Sequence, residues 1–270
     1  REYGVNVLYL NKRKGVDLKV IGELYHTMKR YRPDVLHINQ RMISYVLLPM
    51  LLLGTPKRFY AVHSIAGMDA KGLARKINRF AFHHLHVTPI AISEYCRKTI
   101  SEVYGLPEDK IPCVYNGIDV CRFQRATRYE KMDTNPCGFI TSCAFRPVKN
   151  LPMMVSAFAR AHREAPDTKL VLLGDGEVMP KLRQLVSELK LEGCVTLAGY
   201  CSDAQNWLHK AHVYVLTSDW EGVPVAVLEA MAAGLPVIAT KAGGVIDILE
   251  DGANALLTEV GNEDAIAAAM

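Results

Sequence analysis

A regular alternation of short apolar runs with helix-like segments constrains the fold of this chain more than any other feature. Apolar runs predict strands at residues 5–10, 34–38, 58–62, 90–92, 112–116, 138–142, 169–173, 195–197, 213–216 and 237–240. Helical spacing of apolar residues predicts helices at residues 17–31, 43–53, 70–86, 93–104, 151–163, 178–191 and 203–210. Strands that alternate with helices form parallel sheets covered by those helices, so the expected class is α/β.

A polar, strongly charged stretch at residues 124–136 divides this alternation into two parts. We therefore expect two Rossmann-like parallel-sheet domains, at residues 1–130 and 131–270. Ligands of open parallel sheets bind at the carboxyl ends of the strands, so two such sheets facing each other would form a ligand-binding cleft. The chain begins at Arg1 and ends at Met270 within a helical pattern, so we expect truncation at both termini.

Charge is distributed unevenly between the two halves. Residues 1–135 contain 22 Lys and Arg against 12 Asp and Glu, whereas residues 136–270 contain 10 against 16. A basic half suits an anionic membrane surface, a phosphorylated acceptor or nucleic acid, or is simply a basic surface. The longest apolar run, residues 45–53, is too short to span a membrane, and the first residues do not resemble a signal peptide. The expected location is the cytoplasm.

The cysteines and histidines do not predict a metal site. The seven cysteines contain no Cys-x2-Cys pair, and most lie in or beside apolar runs, which indicates reduced thiols acting as small core residues. Residues 83–86 contain three histidines, but no acid or cysteine lies at ligand spacing nearby. Histidines at a helix end also suit the helix dipole.

The most informative unit is a strand, loop, helix and strand at residues 213–240. Pro224 suits the first turn of the helix, and Glu221 with Gly222 precedes that turn, where free amides favour an anion. Glu229 lies on the helix itself. Carboxylates accept hydrogen bonds from paired hydroxyls, so the predicted ligand carries hydroxyls at both ends and phosphate in the middle. The alternative is that both glutamates are solvated surface acids.

Three further groups follow predicted strands. Arg146 and Lys149 precede a helix, where two cations can stabilise the charge of a departing diphosphate or can simply be surface charges. Gly174 and Gly176 let the backbone approach a ligand closely, although a tight turn explains them equally well. His63 follows the strand at residues 58–62, and a lone histidine is commonly structural.

Residues 219–237 resemble the Glu-x7-Glu motif of the retaining glycosyltransferases of family 4, which have the GT-B fold. The resemblance covers nearly the whole chain and is most specific at residues 142–257. It implies hexosyl transfer from a nucleotide diphosphate sugar to a glycan or lipid-linked acceptor, with retention at the anomeric carbon and without a metal or cofactor. It also implies that residues 1–130 form the acceptor side and residues 131–270 the donor side.

The same resemblance assigns roles to single residues. The implied catalytic residues are Glu221, His63 and Lys149, and the implied donor-binding residues are Arg146, Lys149, Gly174, Gly176, Gly222, Val223 and Glu229. Among them, Glu229 would bind the ribose and Glu221 the sugar. The family's arginine commonly stands at the position of Ala144, so Arg146 departs from that pattern. Residues 145–149 are closer to the N-acetylglucosaminyl malate synthase subgroup, which favours a UDP-sugar.

Two other hypotheses stay open. A nucleotide-sugar-binding scaffold or regulator without turnover would keep the same binding residues. A nicotinamide dehydrogenase is disfavoured because no Gly-x-Gly-x-x-Gly opens a strand-to-helix turn.

The predicted helix at residues 70–86 has a basic amphipathic pattern suited to the surface of an anionic membrane. Its cations are Lys71, Arg75, Lys76 and Arg79. We expect peripheral contact with the inner membrane face, and no nucleic acid partner.

Overall fold

The computed structural model describes residues 5–13, 15–124 and 137–270. Contacts divide the chain into two compact units: unit 1 comprises Arg1–Ile92 and Cys96–Val114, and unit 2 comprises Ser93–Tyr95 and Tyr115–Met270. The predicted boundary between residues 130 and 131 and nearly all of the predicted linker lie outside the described residues.

Unit 1 contains a parallel three-stranded sheet in the order β1-β2-β3. Its strands are β1 (Val35–Asn39), β2 (Lys57–Val62) and β3 (Val87–Ala91). Its helices are α1 (Lys19–Tyr31), α2 (Ile43–Leu52), α3 (Ala66–Asp69), α4 (Gly72–His84) and α5 (Glu94–Tyr104). Arg32 ends α1 in the left-handed conformation, and Pro33 follows, so the helix stops where the sequence predicts.

Two strands predicted for the first half are wrong. Residues 5–10 form no strand, and Val5, Val7, Leu8 and Tyr9 are exposed. An apolar run becomes a strand only when a neighbouring strand pairs with it, and this run pairs with no described strand. Residues 112–116 form only an isolated bridge between Ala91 and Cys113, because Pro112 has no N–H to extend the ladder.

Unit 2 contains a parallel six-stranded sheet in the order β6-β5-β4-β7-β8-β9. Its strands are β4 (Gly138–Ser142), β5 (Lys169–Leu173), β6 (Val195–Gly199), β7 (Val213–Leu216), β8 (Val237–Thr240) and β9 (Ala255–Thr258). Its helices are α6 (Val120–Phe123), α7 (Leu151–Glu164), α8 (Met179–Glu188), α9 (Ala204–Leu208), α10 (Val225–Ala232) and α11 (Glu263–Ala269). The sequence did not predict β9. Within this sheet the chain passes from β4 at the centre through β5 to β6 at one edge. It then returns to β7, beside β4, and continues through β8 to β9 at the other edge.

Alternating side chains of these strands pack into hydrophobic cores on the two faces of the sheet. Phe139, Val215 and Ile238 face α7, α8 and α11, whereas Ile140 and Tyr214 face α6, α9 and α10. Because both faces are covered, the central strands are almost wholly apolar. The α/β class with two parallel sheets is therefore confirmed.

The cysteines fit the predicted core role only in part. The seven cysteines, all among the described residues, form no disulfide bond; Cys96 and Cys194 are buried, and Cys121 is exposed. The described residues contain no cluster of His, Cys, Asp and Glu able to hold a metal ion. His83 instead contacts the backbone, with Nε2 lying 2.8 Å from Tyr104 O. No helix in the described ranges has both the length and the apolar character needed to cross a bilayer.

Candidate functional site

The carboxyl ends of β4 and β7 mark the point in unit 2 where the winding of the sheet reverses. The loops that leave two such strands run in opposite directions and open a crevice between them, and ligands of doubly wound sheets bind there. Lys149 follows β4 and Glu221 follows β7, so the topology brings these two predicted residues to the same place.

Lys149 and Glu221 form a direct ion pair at this crevice. Lys149 Nζ lies 2.5 Å from Glu221 Oε1, and the two side chains are only 18% and 13% exposed. Ser218 Oγ donates to the same carboxylate oxygen at 2.6 Å. An ammonium group has three N–H donors, so Lys149 keeps two for a ligand while it holds Glu221. Oε1 of Glu221 accepts both bonds, which leaves Oε2 to accept from a ligand hydroxyl.

The loops after β4, β7 and β8 are tied together by buried hydroxyl groups. Thr217 Oγ1 donates to Lys149 O at 2.9 Å, and Thr240 Oγ1 donates to Ser218 O at 2.6 Å. The backbone N–H of Asp219 donates to Val148 O at 2.8 Å. These bonds fix the backbones that carry Lys149 and Glu221. Neither threonine was predicted from sequence, although a hydroxyl directly after an apolar strand is a signal that could have identified Thr217.

Asn150 holds the end of the Lys149 segment. It adopts the left-handed conformation, with φ of 46°, where a 3₁₀ turn over Pro147–Lys149 meets α7. Its Nδ2 donates to Asp219 Oδ1 at 3.1 Å, which makes a second side-chain link between the loops after β4 and β7. The side chain of Arg146 is exposed and makes no hydrogen bond or ion pair with another described residue. The structure therefore brings Lys149, but not Arg146, against Glu221.

Gly174 and Gly176 pack against the backbone that leads to Lys149. Their φ angles are +140° and +157°, which side-chain-bearing residues rarely adopt. A Cβ on Gly174 would lie 1.9 Å from Cys143 O, and one on Gly176 would lie 2.5 Å from Phe145 O. Phe145 N–H also donates to Asp175 O at 2.9 Å. The chain's own loop therefore accounts for glycine at both positions.

Gly222 and Val223 are buried, and a second glycine turn supports them. Gly244 N–H donates to Glu221 O at 3.2 Å, and a Cβ on Gly244 would lie 2.1 Å from Gly222 O. Asn116 Nδ2 donates to Val223 O at 3.1 Å. Sequence alone assigned no role to the glycine pair at residues 243–244. Its structural role is to hold the Glu221 loop in place.

Glu229 lies half-buried on α10, the helix that directly follows the loop of Glu221. Burial raises the pKa of this carboxyl above its ordinary value of 4.5, and the positive charge of Arg122 opposes that shift. Among the described residues, no hydrogen bond joins Glu229 to Lys149 or Glu221. Glu229 is thus a separate acidic group in the same unit.

The thiol of Cys143 adjoins the ion pair. Burial raises the pKa of Cys143 to about 11, with smaller opposing effects from Lys149, which lowers it, and Glu221, which raises it. The thiol is therefore neutral at physiological pH and adds no charge to the site.

His63 directly follows β2 in unit 1, as predicted. Its Nε2 lies 2.7 Å from Oδ1 of Asn39, the last residue of β1. Asn39 was not predicted from sequence, although it too lies at the carboxyl end of a strand.

Comparison with known proteins identifies the chain along nearly its full length. A family model described as "Glycosyl transferases group 1" matches residues 136–270, and one described as "Glycosyltransferase Family 4" matches residues 1–122. The chain is 28% identical to N-acetyl-alpha-D-glucosaminyl L-malate synthase of Bacillus anthracis, over 93% of this chain and 68% of the relative. It is 27% identical to UDP-Gal:alpha-D-GlcNAc-diphosphoundecaprenol alpha-1,3-galactosyltransferase of Escherichia coli, over 94% of this chain and 70% of the relative.

Solved structures agree on the fold. The crystal structure of Anabaena HepE in complex with UDP-glucose matches with a TM-score of 0.81 and 20% identity, over 92% of this chain and 70% of that one. The resemblance that residues 219–237 predict is confirmed. The chain therefore belongs to the family 4, group 1 glycosyltransferases and has their GT-B fold.

Proposed function

We propose that this glycosyltransferase moves a hexosyl group from a nucleotide diphosphate sugar, with a UDP-sugar favoured, to a glycan or lipid-linked acceptor with retention of configuration. The observation that carries the proposal is the Lys149–Glu221 pair at the switch point of the unit 2 sheet. The name of the Escherichia coli relative supports a UDP-sugar donor and a lipid-linked acceptor. Retention is carried by the resemblance of residues 219–237 to the Glu-x7-Glu motif.

Lys149 supplies the positive charge for the donor diphosphate in this proposal. Its two remaining N–H groups can bind phosphate oxygens without releasing Glu221. The electrostatic attraction between the ammonium group and phosphate is stronger there because the side chain is mostly shielded from water. Arg146 is exposed beside this segment and provides a second positive charge. Fixed cations of this kind stabilise a departing diphosphate, so the proposal requires no metal or cofactor.

The carboxylates bind hydroxyl groups of the donor. Oε2 of Glu221 and the backbone of Gly222 and Val223 bind the hexose, and Glu229 binds the ribose. Hydrogen bonds from hydroxyls to a carboxylate are charge-assisted: the Glu229 carboxylate can bridge the two adjacent ribose hydroxyls, and Oε2 of Glu221 can accept from a hexose hydroxyl.

Donor binding is also proposed for three other predicted residues. His63 contributes to binding of the donor sugar. Gly174 and Gly176 contribute to the donor site through their backbone, beside the loop that leads to Lys149.

Calorimetry against a panel of UDP-, GDP- and ADP-sugars tests this proposal directly. We expect one UDP-sugar to bind and to be hydrolysed slowly by the wild-type chain, with hydrolysis lost in Lys149→Ala. Binding without any turnover would favour the scaffold or regulator instead. Absence of binding to every sugar nucleotide would overturn the proposal.

We also propose that α4 contacts anionic lipid, which would place the enzyme peripherally at the cytoplasmic face of the membrane. Leu73 and Phe80 are 73% and 52% exposed, and Lys76 lies between them on the same helix face. Lys71 and Arg79 are exposed as well.

Arg75, the remaining cation of the predicted set, has a structural role. Its guanidinium donates to Gly67 O at 2.9 Å and to Ala70 O at 3.1 Å. Helix α2 packs against α4 and exposes Leu48, Leu51 and Leu52, so two neighbouring helices carry exposed apolar side chains.

A further inference from the structure

Asn39 and His63 meet at the carboxyl ends of two neighbouring strands of unit 1. Asn39 is the last residue of β1, and its Cα is paired with that of Ala61, two positions before His63. His63 Nε2 lies 2.7 Å from Asn39 Oδ1. The pairing of β1 with β2 therefore sets the position of the amide relative to the ring.

This contact determines which ring nitrogen carries the hydrogen. A carboxamide oxygen can only accept a hydrogen bond, so Nε2 of His63 must be the donor. The neutral ring then has its lone pair on Nδ1. His63 is exposed, and no other described residue forms a hydrogen bond with its ring. Nδ1 is thus available to a ligand as a hydrogen-bond acceptor.

We infer that Asn39 is a positioning residue that holds His63 in the Nε2–H tautomer, so that Nδ1 accepts a hydrogen bond from a substrate hydroxyl. The inference rests on the proposed function and makes the role of His63 more specific. A phosphate oxygen needs a donor, which neutral Nδ1 cannot supply, whereas a sugar or acceptor hydroxyl supplies the hydrogen itself. The Nε2–H tautomer is therefore matched to a hydroxyl and not to the diphosphate.

Nuclear magnetic resonance of the free protein tests the tautomer without any assumption about activity. Long-range nitrogen–proton spectra of protein labelled with ¹⁵N-histidine report which ring nitrogen is protonated, and His63→Ala identifies the His63 signals by their loss. We expect the Nε2–H form in the wild type and a mixture of tautomers in Asn39→Ala. The Nδ1–H form in the wild type, or an unchanged spectrum in Asn39→Ala, would overturn the inference.

Kinetics test whether this orientation serves the reaction. We expect Asn39→Ala to lower kcat/KM by about tenfold, the effect of one orienting hydrogen bond, and to have no further effect in a His63→Ala background. Asn39→Asp also accepts from Nε2–H and should restore most of the activity, with the acid limb of its pH profile moved to higher pH because a carboxylate stabilises the imidazolium. Asn6→Ala, which changes an exposed asparagine, is the matched control.

The kinetic outcomes separate the inference from the proposed function. Equal losses from Asn39→Ala with and without His63 would show that Asn39 acts independently of the ring, and would overturn the inference. A wild-type chain without sugar transfer would instead refute the proposed function, while the spectra would still decide whether Asn39 sets the tautomer.

Discussion

Lys149 and Glu221 are joined by a 2.5 Å contact between Nζ and Oε1, although 72 positions separate them in sequence. The pair places a cation and an anion together where both are largely shielded from solvent, so a substitution of either residue changes the electrostatic environment of the other. Removing Lys149 leaves Glu221 as a poorly solvated carboxylate with Ser218 as its remaining side-chain donor among the described residues.

Replacement of Lys149 by Ala should mainly slow sugar transfer. We expect kcat to fall by about 10²–10³-fold, because a fixed charge that stabilises the departing diphosphate is lost. Steady-state kinetics with the donor identified by calorimetry measure the change. Lys241→Ala removes a lysine from an exposed ion pair with Glu259 and should leave kcat unchanged. Wild-type turnover in Lys149→Ala would remove Lys149 from the diphosphate site.

Replacement of Glu229 by Gln should mainly weaken donor binding. The amide keeps one acceptor oxygen but loses the charge, so we expect the Kd for the sugar nucleotide to rise by about 10–100-fold. Calorimetry measures this change, and kcat at saturating donor should stay near that of the wild type. An unchanged Kd would place the ribose elsewhere.

The same variant should reveal the effect of burial on Glu229. Burial raises the pKa of this carboxyl, so the folded protein holds the proton more tightly than the unfolded chain does. Ionisation of Glu229 therefore opposes folding at pH 7, and this penalty disappears as the pH falls below the unfolded value of about 4.5. We expect Glu229→Gln to melt at a higher temperature than the wild type at pH 7 and at the same temperature near pH 4. A surface change, Glu164→Gln, should show no such pH dependence.

Replacement of Gly174 by Ala should destabilise unit 2. A Cβ there would lie 1.9 Å from Cys143 O, so the loop after β4 must move. We expect a loss of about 2–4 kcal/mol in the free energy of unfolding, measured by urea denaturation. Gly193 has no atom within 4 Å of its Cβ position, so Gly193→Ala should be nearly neutral. Equal stabilities of the two variants would contradict the close packing of the two loops.

Charge removal on α4 should weaken attachment to anionic lipid. We expect the double variant Lys76→Gln/Arg79→Gln to float less with phosphatidylglycerol-containing liposomes than the wild type does, because each surface cation contributes about 1 kcal/mol. Neutral liposomes should show no difference. Lys181→Gln/Lys190→Gln, which neutralises two exposed lysines of unit 2, is the matched control. Equal flotation of all three proteins with anionic liposomes would contradict a lipid-contacting α4.

Periodicity was sufficient to predict most of the fold. The apolar runs at residues 138–142, 169–173, 213–216 and 237–240 coincide with strands, because strands buried on both faces are nearly continuous apolar runs. The run at residues 5–10 has a similar composition but lacks a pairing partner among the described strands, and local sequence carries no information about pairing. The short strand β9 was missed because half of its residues are not buried and it lies at the sheet edge.

The charged residues of the site could be predicted from sequence, but the hydrogen bonds and the ion pair that connect them could not. Strand order alone indicates that residues after β4 and β7 converge, and the sequence supplied Lys149 and Glu221. Their direct pairing depends on side-chain rotamers and on hydrogen bonds from Thr217 and Asn150. These are features of the tertiary structure that local sequence does not determine. Arg75 shows the reverse case, in which a cation that looks superficial is used to bind two backbone carbonyls.

The loops at residues 143–146 and 174–177 touch through backbone atoms, with glycines where side chains would otherwise intervene. A chimaera that takes only one of these loops from a relative with another sugar preference would therefore combine two loop backbones that are not complementary in shape. An engineer who wishes to redirect this enzyme should exchange both loops as a single cassette, and should expect the hybrid with only one exchanged loop to express poorly.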